Sequence, residues 1–362
     1  MNYTLDKDLI SRFRDKVNSN SYFILYKYGN IENKNRWNII CSCMDWISVA
    51  VRTVNVPKLD INNLDSKTME VYSYISTIDI IHEAIKQLHR VLINNKTIPF
   101  QNQKKIFKDN KLCKDDNSYF KQIRAIFGAH PVNIDNIDGK RFASWPYQSD
   151  TDDFDLQVSL YSNELEKDDI LFGIKFKEID EFLFHHYSYL QKLIDEMDKQ
   201  FNEFCLIKKN QLIPRIDNPL EQLKILTIES KSRLNNDYYT DIIDSLKILF
   251  NTQLNSSLKE FEVKYKNQLI KVLNEVINNL QNMKIIDLKT SKIISPDYHS
   301  ELFYELSKLL SCLLENNYDH LLNYYIKQIN LKSTGEILLD KNDTNEELYL
   351  KVKILMYYKM WI

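Results

Sequence analysis

Arg124 and His130 are the residues of this chain whose types and spacing could carry out a reaction. They stand in the string Lys-Gln-Ile-Arg-Ala-Ile-Phe-Gly-Ala-His-Pro, which covers residues 121 to 131. An imidazole titrates near neutrality and can take or give a proton, and a guanidinium offers a planar fork to phosphate oxygens. The pair suits phosphodiester cleavage without a metal. One group handles the proton of the attacking or leaving oxygen, and the other steadies the charge on the phosphorane. Lys121, Asn133 and Arg141 flank the pair and are expected to hold the substrate. No cofactor is expected.

The backbone must bring the two side chains to one point. Phe120, Ile123 and Phe127 recur at i, i+3 and i+7, the spacing of one helix face. On an unbroken helix the six-residue offset leaves Arg124 and His130 about 120° out of alignment. Pro131 pushes His130 out of α geometry, so a break between Gly128 and Pro131 is the requirement of the chemistry. Gly128 and Ala129 are small and leave room for a ligand. Upstream, residues 101–124 hold Lys104, Lys105, Lys108, Lys111, Lys114, Lys121 and Arg124 against Asp109, Asp115 and Asp116. That local positive excess reads either as a solvated loop or, from its position beside Arg124, as the place where a phosphate backbone would find compensation.

The elements around this stretch read as mainly helical. Residues 7–28 begin helically, with Phe23, Leu25 and Tyr26 read as extended. Trp37, Ile40, Met44, Ile47, Val51 and Val54 keep a 3.5-residue spacing, widened by Ile39, Cys43 and Ala50, with Asn38, Asp45 and Arg52 as the polar line. A second long helix is expected from an N-cap at Asp65 or Ser66 to Leu92, burying Tyr72, Ile75, Ile78, Ile81, Ile85, Leu88 and Leu92. Asp79, His82, Lys86 and His89 share its other stripe. The string His82-Glu83…His89 is not the HExxH of zinc proteases and shows no third ligand, so the stripe is read as solvated or ion-paired.

After the candidate site the period changes to two. Phe154 to Leu160 and Ile170 to Phe176 alternate as a β-hairpin, with Phe142 to Trp145 as a third short strand. The acidic cluster Asp150, Asp152, Asp153 and Asp155 lacks the glycine and terminal glutamate of an EF-hand loop and reads as a solvated turn. Helical spacing returns from Ile179 through Phe182, His186, Leu190, Leu193, Met197, Phe201 and Phe204. Pro214 and Pro219 mark a domain boundary, and Asn218-Pro219 a helix start. The expected organisation is a helical bundle over 1–212, carrying the hairpin at about 141–177, and a second all-helical domain over 213–362. One long helix is marked from Leu254 to Leu280, another opens at Ser295-Pro296, and residues 346–361 are ambiguous between helix and strand.

Composition limits the function classes. The formal net charge of -2 gives no global positive field to draw the chain to nucleic acid or membrane, so any such attraction is local. Five glycines and seven prolines favour long helices over turn-rich β structure. Five cysteines without a CxxC pair, a charged N-terminus and no apolar run of membrane-spanning length lead to the expectation of a cytoplasmic protein with reduced thiols.

Arg-x5-His on a helical bundle resembles the HEPN superfamily, whose signature is Arg-x4-6-His and whose active members are metal-independent RNases, many of them toxins or antiviral effectors. The likeness covers roughly residues 30 to 200. It implies that Arg124 and His130 are the signature residues of an endoribonuclease, that RNA is the substrate, and that two copies form a dimer sharing one cleft. A regulatory or antitoxin partner and a controlling role for the C-terminal domain follow from the same likeness. Ala125 stands where many members carry a polar residue, and Val132 replaces a tyrosine linked to neutralisation by nucleotidyltransferase antitoxins. The alternative is a catalytically inactive RNA- or protein-binding module or helical scaffold. There Arg124 pairs with an acid such as Asp45 or Asp79, and His130 caps a helix end.

Overall fold

The structure, a computed structural model, describes residues 4–31, 33–57, 63–93, 96–109, 113–136, 139–149, 153–233, 237–284, 288–315 and 319–362. Lys111, Asp150 and Asp152 lie outside the described residues. The chain is mainly helical and divides into two compact units, Met1–Phe201 and Asn202–Ile362.

In the first unit, α1 (Leu9–Ser19) and α2 (Ser21–Tyr28) lead to α3 (Trp37–Thr53) and α4 (Leu64–Leu92). Residues 23–26, expected to be extended, are helical. Phe23, Ile24 and Tyr28 bury at helical spacing while Leu25 and Tyr26 face out, a pattern that an aromatic-rich stretch this short does not separate from alternation. On α3 the heptad stripe faces inward as expected, and Asn38, Asp45 and Arg52 are exposed; Ile39 is exposed too. The start of α4 corrects the expected cap. The helix begins at Leu64, and Asp65 sits in its first turn, accepting a hydrogen bond from Trp145 Nε1 at 2.8 Å.

Helix α4 organises the unit. It packs along α3 on one side and against α5 (Asp116–Arg124) and the turn after it on another. A further side meets α6 (Phe176–Asn210), where Tyr74 donates to Asp180 and His89 to or from Tyr189. Ile75, Ile78, Ile81, Ile85 and Leu88 are fully buried. Truncating any one to Ala costs about 2–5 kcal/mol.

Between α5 and α6 a four-stranded antiparallel sheet runs in the order β1 (Ile134–Asn136), β2 (Gly139–Ala143), β3 (Leu156–Ser162), β4 (Ile170–Ile174). The expected hairpin is β3–β4, with Val158 opposite Phe172. The third strand starts and ends earlier than Phe142–Trp145. It extends back to Gly139, whose φ of 124° turns the chain from an unanticipated fourth strand. Asp153 and Asp155 are not simply solvated: Asp153 pairs with Lys175, and Asp155 accepts the Phe176 N–H at the start of α6.

In the second unit α7 (Pro219–Arg233) starts on proline with Asn218 Oδ1 accepting the N–H groups of Leu220 and Glu221. It is followed by α8 (Asp237–Asn251), α9 (Lys259–Gln281), α10 (Ser291–Ile294), α11 (Phe303–Glu315), α12 (Leu322–Lys332) and α13 (Asn345–Tyr358). The division between units falls within α6 and not in the proline segment. The reason is that Arg233, fully buried, donates to the carbonyls of Lys208 and Gln211, and Gln281 to that of Lys209, which ties the end of α6 into the second unit. The ambiguous last stretch is helical because Thr344 and Glu347 form a reciprocal capping box.

Candidate active site

Helix α5 is fixed at its start by buried side chains. Asp115 caps it, accepting the Ser118 N–H at 2.8 Å. Asp116 accepts the N–H groups of Lys105, Ile106 and Phe107 and so pins the preceding loop. Two of the three acids counted against the basic run are thus spent on backbone. Phe120, Ile123, Ile126 and Phe127 then bury, with Phe120 stacked on Phe182 at 4.4 Å between centroids.

The helix changes period at Ala125, earlier than the expected Gly128. Residues Ala125–Ala129 form a single π turn, closed by the His130 N–H donating to the Ala125 carbonyl five residues back at 2.8 Å. Such a turn inserts a residue into the i→i−4 ladder, and Pro131, with no N–H, cannot resume it. His130 leaves at φ −139° and ψ 50°. From there the chain enters the sheet: Pro131 accepts from the Ala143 N–H at 2.7 Å, and Ile134 is buried.

Arg124 is exposed and pairs through Nε with Asp79 on α4 at 3.0 Å. No hydrogen bond among the described residues engages its terminal nitrogens. Its side chain is 44% exposed, against 18% for Asp79. Burial raises the Asp79 carboxyl above its ordinary range, opposed by the charges of Arg124 and Lys86. Asp45, the other acid considered for Arg124, pairs instead with Arg14. His130 is exposed and its ring makes no hydrogen bond among the described residues, so it does not cap the helix through its side chain. Lys121 and Asn133 are also exposed, and their side chains are unengaged among the described residues. Arg141 is not with them. It is buried on β2 and donates to the carbonyls of Asp168 at 2.7 Å and Leu160 at 3.3 Å, so it is committed to the β3–β4 end of the sheet and unavailable to a substrate at the π turn.

The stripe of α4, read as solvated or ion-paired, divides: Asp79 and Lys86 are ion-paired, with Arg124 and Glu83, whereas His82 and His89 are interior. His89 is buried between Tyr189 and Thr97, 2.8 Å from each hydroxyl. His82 is buried with Nε2 2.8 Å from Asn117 Oδ1, and His186 Nε2 reaches the same oxygen at 3.1 Å. Asn117 Nδ2 donates to the carbonyls of Pro99 and Phe100, which fixes Oδ1 toward the two histidines as acceptor. Desolvation holds His82 down to about 4, and His186 well below its ordinary value. His186 also faces the Phe182 carbonyl through Nδ1, so a neutral ring has one proton for two acceptors. Reading the sequence missed this layer. Its signal was present in His186, which falls in register with the apolar stripe of α6.

Among the described residues no helix is long and apolar enough to cross a membrane. Compared with family models, curated proteins and solved structures, the chain matches none.

Proposed function

We propose that this chain is a metal-independent endoribonuclease of the HEPN type, a toxin or phage-defence effector, acting on RNA as a homodimer. The observation that carries the reading is the pair at the π turn: a guanidinium anchored through Nε and an exposed imidazole six residues on, the terminal nitrogens of the one and the ring of the other making no hydrogen bond among the described residues. Lys121, one helical turn before Arg124, and Asn133 are both exposed and would offer polar contacts to a phosphate backbone. The dimer and the possible antitoxin or regulatory partner come from the resemblance.

The chemistry is an internal transesterification. The 2′-oxygen forms a bond to phosphorus, the P–O5′ bond breaks, and a 2′,3′-cyclic phosphate and a 5′-hydroxyl result. His130 takes the 2′-hydroxyl proton or delivers one to the departing 5′-oxygen, and Arg124 holds the equatorial oxygens as charge builds there. Asp79 orients Arg124.

The test is cleavage of tRNA or total RNA by purified protein in EDTA. Arg124→Ala and His130→Ala should each lower the rate by roughly 10²–10⁴-fold. Undiminished cleavage by both variants overturns the assignment, and a monomer at micromolar concentration removes the shared cleft. A second reading, a catalytically inactive binding module of the same type, is favoured by the Asp79–Arg124 pair itself. It predicts intact RNA in every arm.

A further inference from the structure

We propose that Asp79, His82 and Glu83 of α4 form a binding site for a divalent transition-metal ion, with Zn²⁺ as the best-matched occupant. The site goes beyond the ribonuclease reading and does not rest on it. One ligand atom from each residue lies within 4.8 Å of the other two. Their spacing, i, i+3 and i+4, puts all three on one face of one helical turn.

The carboxylates alone would be an ordinary acidic turn. What singles out this one is His82. The residue is 4% exposed, Nε2 is committed to Asn117, and Nδ1 is buried without a hydrogen-bond partner among the described residues. Because Asn117 offers an acceptor, the proton sits on Nε2, and Nδ1 carries a bare lone pair. Metal-ligating histidines are oriented in this way, one ring nitrogen donating to an oxygen and the other left for the ion. A buried lone pair without a donor is costly in a protein interior, and a cation relieves it.

Charge supports the same occupant. Asp79 is neutralised by Arg124 at 3.0 Å, and Glu83 by Lys86 at 2.5 Å. A doubly charged ion can take the place of both cations against the two carboxylates, in competition with Arg124 and Lys86. Glu83 is 47% exposed, so the turn is open to solvent on that side. Zinc bonds of about 2.0–2.2 Å place tetrahedral ligand atoms roughly 3.3 Å apart, so the three side chains close inward as the cations leave, and water takes the fourth position. One imidazole with two carboxylates suits Zn²⁺, whereas Mg²⁺ prefers oxygen ligands throughout.

Full-length protein stripped with EDTA and dialysed should bind one Zn²⁺ at this site on titration with ZnCl₂, with a rise in Tm that excess MgCl₂ does not reproduce. Glu83→Gln, at a half-exposed position, should keep the metal-free Tm and weaken Zn²⁺ binding roughly tenfold or more. Lys86→Ala, which removes the competing ammonium, should tighten it. Zinc affinity unchanged in Glu83→Gln, or unchanged or weaker in Lys86→Ala, overturns the site, as does the absence of Zn²⁺ binding to the wild-type chain. No RNA is present, so the result is independent of the cleavage assay.

Discussion

The layer around Asn117 and the turn after Arg124 belong to the same helix, yet they treat their histidines in opposite ways. At the start of α5, His82 and His186 are drawn into the interior, share one amide oxygen and are held neutral by desolvation. At its end, His130 follows a single π turn, is exposed, and its ring has no hydrogen-bond partner among the described residues. The lesson is that residue type alone does not mark a reactive histidine. What the surrounding backbone leaves unengaged does, and each prediction below tests that contrast.

The largest effect belongs to the interior. Asn117→Leu leaves two buried imidazoles and the Pro99 and Phe100 carbonyls without their amide partner. At about 1–3 kcal/mol for each orphaned buried group, partly relieved by relaxation, the loss should be about 4 kcal/mol in urea unfolding. A loss under about 1 kcal/mol would mean that the layer is not structural, and the contrast with the π turn would collapse.

Acid comes next. His82 titrates near 4 when folded and near 6.5 when unfolded, so between those values the unfolded chain binds more protons. Stability is therefore full above about pH 6.5 and is lost as pH falls toward 4, by about 3 kcal/mol for this ring alone. His186, shifted the same way, steepens the fall. Unfolding free energies measured from pH 7 to pH 4 should decline. A flat profile contradicts the neutral buried pair.

The sequence made the helices and the hairpin legible where one face is buried and the other is wet. The stripe of α3 and the alternation of β3 and β4 are of that kind. On α4 the helix and its apolar face were legible as well, but not the burial of its two histidines, because that helix is enclosed on several sides. A polar residue opposite Ile75 and Ile78 need not face water where α5 and α6 meet it: His82 is buried against Asn117, Phe182 and His186, and His89 against Tyr189. Arg141 misled for a related reason: in a short strand after a turn, nothing local tells that its guanidinium is spent on the Asp168 and Leu160 carbonyls. The break before Pro131 was readable because proline acts on its own neighbours. Its π form was not, since the extra residue is set by how Ile126 and Phe127 fit against the core.

A smaller effect separates a strut from a site. The Arg124–Asp79 pair joins α5 to α4, and a purely structural role would need it to contribute substantially to folding. With the arginine side chain 44% exposed, screening keeps such a pair below about 1 kcal/mol. A double-mutant cycle of Arg124→Ala and Asp79→Asn in urea unfolding should give a coupling energy in that range. Coupling of several kcal/mol would make Arg124 a structural residue and favour the inactive-module reading.

The smallest change in stability carries the sharpest distinction. His130 makes no side-chain hydrogen bond among the described residues and is exposed, so His130→Ala should shift unfolding by no more than about 0.5 kcal/mol. If the ribonuclease reading holds, the same variant loses cleavage by about 100-fold or more, which is a barrier change of about 2.7 kcal/mol or above. Stability untouched while cleavage fails is the signature of a group that acts on something outside the protein. A histidine whose loss lowers both in proportion would belong with His82 and His186. The comparison between the two regions would then have been a difference of degree, with the π turn a packing solution at the end of α5.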